Sequence, residues 1–128
     1  MIVVGLVLTG IAAAIHVFIF YLESLAWTSE RARGVFGTTA PQAEATKEMA
    51  FNQGFYNLFL ALSVFLGIAL YAAGHVAVGA TLVFVGAGSM AAAALVLLLS
   101  SPDKRGAALK QGVIPALGVL ALALGLAL

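Results

Sequence analysis

Residues 49–102 read MAFNQGFYNLFLALSVFLGIALYAAGHVAVGATLVFVGAGSMAAAALVLLLSSP, with no Asp, Glu, Lys or Arg anywhere in the stretch. As one helix it would run about 80 Å at ~1.5 Å per residue, against ~30 Å of hydrocarbon in a bilayer. It has to turn back on itself. Ala72-Ala73-Gly74-His75 is the natural place, because Gly74 can end a helix in the left-handed conformation. Two spans follow, at 49–72 and 76–100. Outward from them, IVVGLVLTGIAAAIHVFIFYL (2–22) opens a first span, placed at 2–27 and interrupted in its apolar part only by Thr9 and His16. No basic residue precedes it, and the run exceeds a signal-peptide core, so it reads as a retained span. SSPDKRG (100–106) is a breaker, and 107–128 makes a fourth span with Pro115 inside it.

Composition points the same way. Of 128 residues, 63% are hydrophobic and 9% charged, where a soluble domain carries roughly a quarter charged. A net charge of +1 provides no basic patch for nucleic acid. The chain has no Cys, which removes disulfides, thiolate metal sites and thiol catalysis. No phosphate-binding glycine loop, HExxH, GxSxG or heme-attachment motif is present. Two distant His and one intramembrane acid make no metal set, so neither metal nor cofactor is expected. In lipid only helices or closed barrels satisfy the backbone, and the two-residue alternation of a barrel strand is missing. The fold class predicted is an all-α integral membrane protein. Residues 1–128 form one antiparallel, up-down-up-down four-helix transmembrane bundle with a loop at 28–48.

Orientation follows from the cations. Arg31, Arg33 and Lys47 lie in the first loop, and Lys104, Arg105 and Lys110 in or beside the third. With four spans these loops share one side, and the other side has no Lys or Arg. The positive-inside rule then makes loops one and three cytoplasmic and both termini external, in the cytoplasmic (inner) membrane. Lys110 is expected to snorkel to the same side.

The polar residues inside the spans are the informative ones, because intramembrane ionisable groups are costly. His16 and Glu23 stand two helical turns apart and project from nearly one face, with Phe20 and Trp27 completing the stripe. Asn52, Gln53, Tyr56 and Asn57 open span two, with Gln53 level with Glu23 and Asn57 between Glu23 and His16. Packing of spans one and two would bring these groups together in the cytoplasmic half. Each has a plainer reading. Glu23 can meet interfacial water, or bind an amide or Arg31. His16 can be a ring bonded to a neighbouring backbone carbonyl, Trp27 an interfacial anchor, and the amides interhelical glue. Four polar side chains within six positions opposite a Glu exceed what glue needs. Small residues in span three, among them Gly79, Gly86 and Gly88, read as close helix packing. Residues 41–48 read as a short helix starting at Pro41 after a Thr39 cap and running into span two, placed to cover the pocket.

The segments His16–Trp27 (HVFIFYLESLAW) and Asn52–Ala61 (NQGFYNLFLA) resemble the small bacterial membrane proteins grouped as domain of unknown function 1304. The resemblance spans nearly the whole chain. It implies a four-span membrane protein and brings no activity, but it draws attention to His16, Glu23, Trp27, Asn52, Gln53, Tyr56 and Asn57. A more distant analogy is to the membrane-associated eicosanoid and glutathione metabolism proteins, four-span bundles that usually work as trimers. It adds a homo-oligomer to the expectations, though the Arg-rich pattern those enzymes use for glutathione is missing.

Three functions stay open. The first is a protein binding or moving a small amphipathic or lipid-like ligand in a cytoplasm-facing pocket between spans one and two. Glu23 would be its charged or proton-exchanging group, Asn52, Gln53 and Asn57 its hydrogen-bonding wall, Trp27 and Tyr56 its aromatic wall. The second is a membrane enzyme on a lipophilic substrate, with Glu23 and His16 as catalytic acid and base. The third is an accessory subunit whose polar face binds a partner helix. Membrane lipids are partners in every case.

Overall fold

A computed structural model describes all residues, 1–128. It is all-helical. Helix α1 (Ile2–Phe20) continues into a π-helical turn at Tyr21–Leu25, and a short α2 (Glu30–Phe36) follows. Helices α3 (Ala40–Ala72), α4 (Val76–Ser100) and α5 (Arg105–Ala127) complete the chain, with a 3-10 turn at Pro102–Lys104 before α5. Four helical segments are long and apolar enough to cross a membrane, at Ile2–Leu25, Ala40–Ala72, Val76–Ser100 and Pro102–Ala127. The protein is therefore a multi-pass membrane protein.

Local chemistry sets the ends. The chain leaves α3 through a Schellman turn. Gly74 adopts φ +89°, its N–H donates to the Tyr71 carbonyl at 3.1 Å, and the His75 N–H donates to Leu70 at 2.9 Å. At the other end of α3, Thr39 and Gln42 form a reciprocal capping box, with Pro41 in the first turn. The segment read as a short helix is thus the first part of a continuous 33-residue helix. At ~1.5 Å per residue α3 is about 50 Å long, so its first turns project beyond the ~30 Å apolar layer. The segment 28–48 also holds more structure than a loop. Ser29 caps α2 by accepting the Ala32 N–H at 3.2 Å, and α2 runs through Gly34 to end at Gly37 with φ +67°. Helix α5 passes through Pro115, which is buried.

The bundle is a closed ring in which α1 packs on α3 and α5, and α4 packs on the same two. Lipid is as apolar as a leucine side chain, so burying apolar surface does not drive helices together. Close backbone approach has to hold them instead. Small residues provide it on two seams. Between α1 and α5, a Cβ on Gly5 would fall 2.5 Å from the Leu122 backbone nitrogen and one on Gly125 2.5 Å from that of Ile2. Between α3 and α4, one on Gly79 would lie 2.6 Å from the Gly67 carbonyl oxygen and 2.5 Å from the Tyr71 nitrogen. The interior is correspondingly fine-grained, a cluster of Ala12, Ala13, Ala61, Val64, Ala87 and Met90. The two polar side chains interrupting α1 are buried, and each bonds its own helix one turn back. The Thr9 hydroxyl donates to Gly5 at 2.9 Å, and His16 Nδ1 bonds the Ala12 carbonyl at 2.8 Å.

Two substitutions in α4 test the packing. Gly79→Ala is expected to destabilise the bundle by ~1–3 kcal/mol, because backbone must move to admit the methyl. Gly88→Ala adds a methyl that meets nothing within 4 Å. It should be neutral or stabilise by up to ~1 kcal/mol through helix propensity. Thermal unfolding in detergent micelles reads both.

Candidate functional site

The site begins with an irregularity in α1. At Tyr21–Leu25 the helix widens into a π turn, closed by the Ala26 N–H donating to the Tyr21 carbonyl at 3.0 Å. Such turns occur frequently at functional sites, and this one contains Glu23. It lies directly against α3. The Ser24 hydroxyl donates to the Phe51 carbonyl at 2.8 Å. Gly54 faces the turn, and a Cβ there would collide with the Ser24 hydroxyl and come 3.1 Å from Glu23 Cβ. Glycine is what lets the two backbones meet. One turn further along α3, Asn57 Nδ2 donates to Glu23 Oε2 at 2.7 Å, and it also reaches the Gln53 carbonyl at 3.3 Å. This is a short, charge-assisted geometry for an amide and a carboxylate.

The Glu23–Asn57 pair stands in the wall of a cavity of about 660 Å³ at the end of the bundle that carries the two charged connections. That volume falls within the range of ordinary small-molecule pockets. His16, Glu23, Trp27, Gln53, Tyr56 and Asn57 all line it. His16 is the deepest in α1. A carbonyl can only accept, so the ring nitrogen facing Ala12 carries the proton, and Nε2 is the nitrogen left for the cavity. Trp27 lies beyond the end of the π turn. Its indole N–H donates to Thr46 Oγ1 at 3.1 Å, and its ring packs 5.1 Å from Phe36. It thereby ties α1 to the projecting part of α3 and to α2, a more specific role than an interfacial anchor.

Three expectations need correction. Asn52 is not in the cavity. It is exposed and donates to the Glu48 carbonyl of its own helix at 3.1 Å. The reason is angular: Gln53, Tyr56 and Asn57 are three and four residues apart and share a face, while Asn52 is set well round the helix from Asn57. Phe20 does not complete the stripe either, since its ring packs edge-on against Phe55 at 5.1 Å. And the cavity is not confined to spans one and two. Met90, Ala93 and Leu97 of α4 form another wall, while Asp103, Lys104 and Gln111 come from the α4–α5 connection and the start of α5. Residues 34–37, at the end of α2, complete the lining, so α2 covers the pocket where the helix from Pro41 was expected to. Within residues 41–48, Thr46 serves instead as the acceptor for Trp27.

The lining sorts into two chemistries. Aliphatic and small residues of α4 oppose a polar side made by Glu23, Asn57, Gln53 and His16, with Lys104 and Asp103 nearer the connection. Such a chamber suits a molecule with one polar and one apolar end. No group of three or more His, Cys, Asp or Glu residues suited to a metal ion occurs in the chain. A family model described as a protein of unknown function (DUF1304) matches residues 10–123, and the chain belongs to that family. No curated protein and no solved structure matches it.

A double-mutant cycle measures how firmly the pair is set. Asn57→Leu leaves a partly buried carboxylate without its donor and is expected to cost ~1–3 kcal/mol in thermal unfolding. In a Glu23→Gln background the same change should cost less, with a coupling of at least ~1 kcal/mol. Strict additivity would show that the two side chains do not interact.

Proposed function

We propose that this protein binds or moves a small amphipathic or lipid-like molecule in the cavity around Glu23, with the polar end of that molecule on the Glu23 carboxylate. One observation carries the reading: a carboxylate held by an amide from a second helix in the wall of a chamber of about 660 Å³. The bond from Asn57 occupies Oε2 and leaves Oε1 for a donor that the ligand brings, a hydroxyl or an amine. Gln53 and Asn57 supply the hydrogen-bonding wall, Trp27 and Tyr56 the aromatic one, and the α4 side receives the apolar part. A polar face meant for a partner helix would point outward, and the inward placement of Glu23 and Asn57 favours a ligand over an accessory-subunit role.

A second reading draws on His16. Its Nε2 is free to accept a proton and lines the same chamber as the Glu23 carboxyl group, so with Glu23 protonated a bound molecule reaching both would sit between a proton donor, Glu23, and a proton acceptor, His16. An enzyme acting on a lipophilic substrate fits that pairing. His16→Gln separates the two readings. It should leave ligand retention unchanged in a binding protein and cause a bound substrate to accumulate in an enzyme.

Ligand identification tests the main reading. Protein purified in mild detergent and examined by mass spectrometry should carry a molecule that Glu23→Gln loses by at least about tenfold, since a hydrogen bond to a charged group contributes ~1.5–3 kcal/mol. Identical small-molecule and lipid content in the two proteins would overturn it.

The proposed orientation places the chamber toward the cytoplasm. All six Lys and Arg residues fall at the end of the bundle that holds the cavity, and the Gly74 turn and both termini lie at the other. Single cysteines at the exposed positions Glu44 and His75 check it in intact cells. An impermeant maleimide should label the His75→Cys variant and spare the Glu44→Cys variant, and the reverse pattern would invert the topology.

A further inference from the structure

A second cavity, of about 590 Å³, lies on the other side of α2, between α1, α2 and α5. Its lining changes character along its length. On α1 it is formed by Ile15, Phe18 and Leu22, and near the connections by Arg31 of α2 and Lys110 of α5. The Arg31 guanidinium carbon sits 5.6 Å from the centre of the Phe18 ring, a cation–π distance that holds the charge beside the apolar wall. Lys110 lies more than a turn inside α5, about 9 Å past Lys104 at ~1.5 Å per residue. A lysine meant only to mark a side of the membrane does as well in the connection, where Lys104 and Arg105 already stand. Placing one deeper brings cations of two segments, Arg31 and Lys110, into the lining of one groove. Glu30 is the acid in the same lining, so the groove keeps an excess of one positive charge.

We propose that this groove is a binding site for an acidic phospholipid, separate from the chamber around Glu23. Its phosphate bridges Arg31 and Lys110, and one acyl chain lies along Ile15, Phe18 and Leu22. Charge complementarity and depth single out this occupant. An arginine fork matches two phosphate oxygens, and a lysine adds a point charge. In a lipid of the surrounding leaflet the phosphate stands where the apolar wall gives way to the cations, while the chains point along α1 toward the bilayer centre. A soluble anion would use the cations and leave the apolar wall bare.

Native mass spectrometry of protein in mixed phosphatidylcholine and phosphatidylglycerol nanodiscs tests the site. The wild type is expected to retain one phosphatidylglycerol in preference to phosphatidylcholine. The double variant Arg31→Gln/Lys110→Gln should lose that preference by about thirtyfold, following the usual gain per basic residue at an anionic surface. Lys47→Gln/Arg105→Gln removes the same charge at positions lining neither cavity and should keep the preference. Millimolar glycerol phosphate should not displace the lipid. Equal losses in the two double variants would mean a diffuse electrostatic effect and overturn the proposal. So would displacement by glycerol phosphate, or an unchanged preference without Arg31 and Lys110. Circular dichroism of each variant verifies that it is folded.

Discussion

Everything at the candidate site depends on one close contact, that between the π turn of α1 and Gly54 of α3. With no Cβ at position 54, the Ser24 hydroxyl reaches the Phe51 carbonyl and Glu23 comes to within 2.7 Å of the Asn57 amide. A carboxylate is costly to hold in a low-dielectric interior without a partner. Asn57 supplies that partner, and the contact at Gly54 supplies the distance. Remove the approach and Glu23 has to seek water at the end of the bundle. The site and the α1–α3 crossing are therefore one feature, and a change at position 54 acts on the carboxylate without touching it.

The same economy of side-chain size runs through the rest of the bundle. Lipid offers no incentive for apolar helices to associate, so the ring of α1, α3, α4 and α5 is held by backbone approach at glycines and by a core made largely of alanine. These seams bring α1 against α5 and α3 against α4 while leaving room at the end that carries the charged connections. There α2 stands between two cavities. Residues 34–36 belong to the lining of both, as do Gly106, Ala107 and Gln111. One short helix thus separates the chamber of Glu23 from the groove of Arg31 and Lys110, and its Phe36 is held against Trp27.

Much of the architecture is legible in the sequence because its causes are local or compositional. An uncharged stretch too long for one crossing forces a turn, and Gly74 is where the chain adopts a positive φ. Thr39 and Pro41 mark the start of α3 for reasons contained in four residues. The convergence of His16, Glu23, Gln53 and Asn57 is legible too, since polar groups in spans are costly and tend to share a face. What escapes is whatever depends on a change of helical phase or on a distant segment. Nothing in YLESL announces a π turn, which is settled by the fit against Gly54. Asn52 belongs to the amide cluster in sequence, but angle removes it from the cavity. The cover provided by α2, and the contributions of Asp103, Lys104 and Gln111, arise only when the far end of α4 returns to the first connection.

We propose that the chamber around Glu23 is built for an occupant. A structure of the protein in nanodiscs made from its native membrane lipids, resolved well enough to see side chains, tests it most directly. Elongated density is expected in the chamber, its polar end within hydrogen-bond distance of Glu23 and its apolar end along Ala93 and Leu97. A collapsed chamber, or Glu23 turned out of it and away from Asn57, would contradict it.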